Sequence, residues 1–274
     1  VTTIPAPLRP TAGALPGPVS VQRAVGALVA RWPVLAGAGL LVVVLDVLLG
    51  GPLSTVLDVR VNRWMAALPH TGPDLVLAHV LDHTGKITVV APLLLVVAGL
   101  GSWRRRSWSS LVTAGGTLFV MLSVLAVVKF GLARGLAVNG DPSLLVPGGQ
   151  SFPSGHAAQA AVTAGLLVAL LPRLTGRPLR RSTALLVVAV PCSVMTSVSL
   201  YLGFHWTTDL VAGTLVGLLA ARAGLAVERR CERRRAVRRL GAPPLRLVTA
   251  PFDVDLERSR VATSTGQTLI VARS

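Results

Sequence analysis

Residues 108–129 read WSSLVTAGGTLFVMLSVLAVVK, an unbroken apolar run closed at its far end by Lys129. A helix of about 20 apolar residues spans a bilayer. Comparable runs recur at 33–50 (PVLAGAGLLVVVLDVLLG), 86–103, 156–172, 183–203 and 206–226. The 274-residue chain is 52% hydrophobic and only 14% charged, with a mean hydropathy of +0.66. A soluble domain carries roughly 25% charge. Continuous runs, rather than alternating apolar and polar residues, argue against a membrane β-barrel. The expected fold class is all-α: a polytopic membrane protein with about six transmembrane helices in a bundle.

The net charge of +16 comes almost entirely from arginine. Such a charge can signal nucleic acid, but its placement argues against that partner. The cations sit in short clusters between the apolar runs: WRRRSW (103–108), PRLTGRPLRRS (172–182) and ERRCERRRAVRR (228–239), with Arg23 and Arg31 before the first run. With six spans, every cluster falls on one side. The positive-inside rule makes that side cytoplasmic, with both termini inside. The expected location is the cell membrane.

Three regions follow. Residues 1–32 form a Pro-rich, disordered N-terminus. Residues 33–226 form the membrane domain, and 227–274 a basic tail lying on anionic lipid. Segment 51–85, between the first two spans, has room for one or two short interfacial helices. Cys192 lies in an apolar run and Cys231 in the basic tail, so a disulfide between them is not expected.

Counting spans also brings distant segments together. The end of span three, the start of span four and the start of span six share the outer, non-cytoplasmic face. These segments are KFGLARG (129–135), SFPSGH (151–156) and SLYLGFHWTTD (199–209). His205 and Asp209 are four apart, so a helix would put them on one face. A carboxylate that accepts one ring N–H fixes the tautomer and leaves the other nitrogen as an electron-pair donor. Ser154, Gly155 and His156 open span four, where free N–H groups and the helix dipole favour an anion. An ionisable ring there is costly unless it has work to do. Lys129 and Arg134 bring positive charge to the same face, fit to neutralise a phosphate.

In this order, the motifs resemble the type-2 phosphatidic acid phosphatase superfamily, the lipid phosphate phosphatases related to vanadium haloperoxidases. That family carries K-x6-R-P, then P-S-G-H, then S-R-x5-H-x3-D, and the resemblance covers about residues 85–220. It implies that His205 attacks phosphorus to form a phosphohistidine, that Asp209 orients it and that His156 protonates the leaving alkoxide. Lys129 and the amides of Ser154 and Gly155 would hold the phosphoryl oxygens. The scheme calls for no metal and no cofactor, and its partners are membrane lipids, including a phosphorylated lipid substrate. The chain departs from the pattern at two arginines: Leu136-Ala137 stands in place of Arg-Pro, and Val198-Ser199 in place of Ser-Arg. Arg134 is the expected substitute for one, and Ser199 offers a hydrogen bond without charge at the other.

The expected function is an integral membrane phosphatase acting on a lipid phosphate or diphosphate at the outer face. Two alternatives remain open: a weak or inactive member that binds phosphorylated lipid, or a lipid phosphotransferase. A haloperoxidase fits poorly, because those relatives are soluble. Three further features need a place. HVLDH puts His79, Asp82 and His83 at metal-ligand spacing, but the polar face of an interfacial helix is the expected reading. Asp46, near the outer end of span one, is expected to pair with a neighbouring polar group. Gly213 and Gly217 mark close helix packing, within the monomer or at a dimer face.

Overall fold

A computed structural model describes residues 18–239. Among these residues eight α-helices follow one another: α1 (Pro18–Leu49), α2 (Asp58–Ala66), α3 (Pro73–Thr84), α4 (Ile87–Arg104), α5 (Ser109–Leu132), α6 (Gly155–Thr175), α7 (Arg181–Tyr201) and α8 (Thr207–Arg239). Six of them are long and apolar enough to cross a membrane: α1, α4, α5, α6, α7 and α8. The chain is thus an all-helical, multi-pass membrane protein, with the six runs where hydropathy put them. A π-helical turn (Leu53–Leu57), α2 and α3 fill the connection between the first two spans, as its length allowed.

Two boundaries differ from expectation. α1 starts at Pro18, so residues 18–32 are helical rather than part of a disordered leader; Pro18 suits a first helical position, where its missing N–H is not needed. α8 runs on to Arg239, because the Ala-, Arg- and Glu-rich stretch beyond 227 favours helix. The rest of the expected leader (1–17) and tail (240–274) lies outside the described residues.

α6 is the central helix, and half of its span is buried. Its Ala158, Val162, Leu166 and Leu170 pack with Leu94 and Ala98 of α4, Leu118, Met121 and Leu125 of α5, and Ala221 and Leu225 of α8. Glycines on α8 let it come close to α6. A Cβ on Gly213 would collide with the Ser154 carbonyl oxygen, and one on Gly217 with that of Ala158. The glycine pair therefore serves packing inside the monomer. Apolar side chains on the opposite faces, such as Phe119 and Val127 of α5, stay exposed as lipid-facing residues do.

The loops separate into two ends. At one, Arg104 donates to the Leu174 carbonyl (2.7 Å), and Arg173 makes a two-pronged pair with buried Glu228 (2.7 Å to each oxygen). At the other, α5 ends, and α6 and α8 begin. Asp46 accepts the amides of Leu53 (3.1 Å) and Ser54 (2.7 Å), which pins the π-helical turn to α1.

Candidate active site

Ala133 adopts a left-handed conformation (φ 42°) and ends α5, its amide bonding the Lys129 carbonyl. The turn sends Arg134 inward while Lys129 stays on the last helical turn. Ser154 caps α6, its hydroxyl accepting from the Ala157 amide (3.4 Å). Its own amide donates to the Asp209 carbonyl (3.0 Å), which ties the start of α6 to the start of α8.

The start of α8 uses Asp209 twice. Asp209 is the third helical residue, and its Oδ2 accepts the Trp206 amide (3.0 Å), the reach-back arm of a capping box. The same oxygen lies 3.6 Å from His205 Nδ1. Capping and ring orientation are therefore one arrangement. His205 is 9% exposed and Asp209 fully buried. With Nδ1 turned to the carboxylate, Nε2 is the ring nitrogen left for a ligand.

A cavity of about 330 Å³ opens beside this ring. Lys129, Gly155, His156 and His205 line it, with Gln150, Gln159, Leu136, Val138 and Phe204. Lys129 Nζ donates to the Gln150 carbonyl, which holds the ammonium at the pocket wall. Four of the residues singled out by motif therefore meet in one cavity, although up to 76 positions of sequence separate them.

Three others sit elsewhere. Arg134 does not line the cavity: its side chain is fully buried and all five N–H donors are engaged. Nε bonds the Pro142 carbonyl (3.2 Å), Nη1 bonds Thr208 Oγ1 (2.8 Å) and Asp209 Oδ1 (2.5 Å), and Nη2 bonds Asp58 Oδ2 (2.9 Å) and the Ser54 carbonyl (3.4 Å). A guanidinium so held has no donor left for phosphate, so the expected substitution by Arg134 fails. It anchors Asp209 instead, with its charge 5.6 Å from the centre of the Trp206 ring. The Ser154 amide is likewise taken, by Asp209, which leaves Gly155 as the cradle residue facing the cavity. Ser199 is buried outside the cavity lining, and its hydroxyl makes no hydrogen bond.

Asp58 is a residue that motif reasoning missed. Its Oδ1 accepts the Thr208 amide (3.0 Å), and Oδ2 takes Thr208 Oγ1 and Arg134. It thus places a carboxylate at the N-terminus of α8, where the dipole favours one. Burial pushes this carboxyl above the ordinary range, against the pull of the Thr208 hydrogen bonds and the Arg134 charge. Nothing local singles it out: Asp58 has Arg60 and Arg63 beside it in sequence, yet its partners come from residues 134 and 208.

Asp82 departs from the polar helix face expected of His79, Asp82 and His83: it is 4% exposed and points inward, 3.8 Å from His156 Nε2. His79 and His83 are exposed, and Lys86 donates to the His83 ring (3.1 Å). The three side chains do not converge. Among the described residues, no group of three or more His, Cys, Asp or Glu is placed to hold a metal ion.

The model of the PAP2 superfamily matches residues 129–233, from Lys129 through α6, α7 and most of α8. Phosphatidylglycerophosphatase B of Bacillus subtilis (strain 168) is 31% identical over 147 residues, which is 51% of this chain and 68% of the relative. The chain belongs to the PAP2 superfamily. A crystal structure described as a transmembrane PAP2 type phosphatidylglycerolphosphate phosphatase from Bacillus subtilis superposes with a TM-score of 0.60 at 22% identity. The match covers 74% of this chain and 98% of that one, and it establishes a shared fold. The PAP2-matched segment starts after Asp58, which holds Arg134 and Thr208, and after Asp82, which faces His156, so both acids lie outside it.

Proposed function

We propose that this PAP2 protein is a membrane phosphatase that hydrolyses a lipid phosphate or diphosphate through a phosphohistidine at His205. One observation carries the reading: His205, whose Nδ1 faces a buried carboxylate 3.6 Å away, shares a cavity with His156, Lys129 and the N-terminus of α6. His205 Nε2 attacks phosphorus and His156 gives a proton to the departing alkoxide oxygen. Water then attacks the phosphohistidine, His156 takes its proton, and phosphate leaves. Lys129 and the first amides of α6 bear the phosphoryl charge, which is what such a transfer most needs. With the family arginines absent and Arg134 engaged elsewhere, Lys129 is, among the described residues, the one lysine or arginine lining the cavity.

The lipid substrate is supported by the cavity's apolar wall of Leu136, Val138 and Phe204, by the six candidate spans and by the name of the Bacillus relative. The basic loops 103–108 and 172–182 gather at the opposite end of the bundle, so the positive-inside rule puts the cavity at the non-cytoplasmic face. The test is phosphate release by detergent-purified protein from phosphatidate, phosphatidylglycerophosphate and a polyprenyl diphosphate, wild type beside His205→Ala. Release that drops to background in the variant is the expected result.

A second reading, a non-catalytic binder of phosphorylated lipid, draws on the full engagement of Arg134. It requires lipid binding without release in wild type and no change on His205→Ala.

A further inference from the structure

We infer that Asp82 is a positioning residue for His156, so that the chain braces both of its cavity histidines with buried carboxylates from different elements. The inference rests on the proposed phosphatase reading. Asp82 Oδ1 is buried and makes no hydrogen bond, and the same is true of His156 Nε2, 3.8 Å away. An unpaired buried carboxylate oxygen is costly. Here two such atoms face each other, and a shift of less than an ångström closes the bond. Nε2 turned to Asp82 leaves Nδ1 as the nitrogen directed to the cavity, the mirror image of His205, where Nδ1 faces Asp209 across 3.6 Å and Nε2 is left for a ligand.

The support around the pair is tight. Asp82 lies on the last turn of α3, and the chain turns at Gly85 into α4. A Cβ at Gly85 would collide with Met195 Sδ and reach within 3.4 Å of His156 Cδ2, so the corner is wedged between the ring and α7. The charged or titratable groups that act on His156 are Asp82, Lys86, Lys129 and His205. Asp82 is the one anion among them. It stabilises the imidazolium from which the proton reaches the leaving oxygen, and the tautomer that takes a proton from water afterwards.

A general acid matters when the leaving group is a poor one, which gives a readout that loss of folding does not mimic. The full-length protein in detergent is assayed on dioctanoyl phosphatidate, whose leaving group is an alkoxide, and on p-nitrophenyl phosphate, whose leaving phenolate needs little protonation. Asp82→Asn should lower kcat on the phosphatidate by tenfold or more, short of the about 10²–10⁴ that a general acid supplies. KM for the phosphatidate and the burst of p-nitrophenolate, which reports attack on phosphorus before water enters, should stay near wild type, and Asp82→Glu should recover part of the loss. Equal loss of the phosphatidate kcat and of the nitrophenolate burst, or loss of neither, overturns the inference while a dead His205→Ala leaves the phosphatase reading standing. Full activity of His205→Ala overturns both.

Discussion

Arg134 Nη1 and Asp209 Oδ1 lie 2.5 Å apart with both side chains fully excluded from solvent. This contact joins the loop after α5 to the first turn of α8, and through Asp209 it reaches His205. The arginine of this loop is thus a structural anchor of the orienting acid.

Arg134→Ala should therefore damage stability first. It leaves Asp58 and Asp209 buried without their counter-ion, and breaking a buried pair costs about 3–5 kcal/mol. Arg134→Lys keeps the charge but cannot reach five partners, so it should also melt lower than wild type. Thermal unfolding in detergent, read beside activity, checks this. A stable Arg134→Ala protein with weakened substrate binding alone would instead return Arg134 to the phosphate.

Lys129→Gln should fold normally and lose turnover. Lys129 is a charged donor at the cavity wall, and removing a donor to a transition-state oxyanion costs about 10²–10³ in kcat. Steady-state kinetics with an unchanged melting temperature is the expected pair of results.

Gly213→Val and Gly217→Val should force α8 away from α6, since the added atoms meet carbonyl oxygens of the facing backbone. Overpacking of this kind costs about 1–3 kcal/mol or more. Gly99→Ala, where nothing lies within 4 Å of the new Cβ, is the control and should be neutral or stabilising. Melting curves of the three variants separate the cases.

Arg173→Ala leaves Glu228 unpaired in a nearly fully buried position, at the end of the bundle remote from the cavity. A loss of about 3 kcal/mol is expected, near the low end for buried pairs because the Arg173 side chain is 17% exposed. The folded protein should keep wild-type kcat. A fall in kcat at unchanged stability would mean that the two ends of the bundle are coupled.

The sequence by itself determined the membrane helices, their number and the grouping of His156, His205 and Lys129. Hydropathy is a sum over neighbours along the chain. The parity of spans then decides which helix ends share a face, without any contact being known. The His205–Asp209 relation was equally legible, because four residues on a helix are one turn. Tertiary structure decided what no local pattern contains. Arg134 looked like a phosphate ligand from its place in the loop, but its partners Asp58 and Asp209 lie 76 and 75 residues away. The left-handed turn at Ala133 points it at them. Asp82 read as one polar residue among three on a helix, and only the packing of the α3–α4 corner against α6 turns it toward His156. The glycines of α8 announced a close approach, while the bundle chose its partner, the carbonyl-bearing face of α6. In each case the side chain's chemistry was visible in the sequence. Its role followed from which distant group the fold left it to satisfy, since a buried charge or polar atom must find a partner.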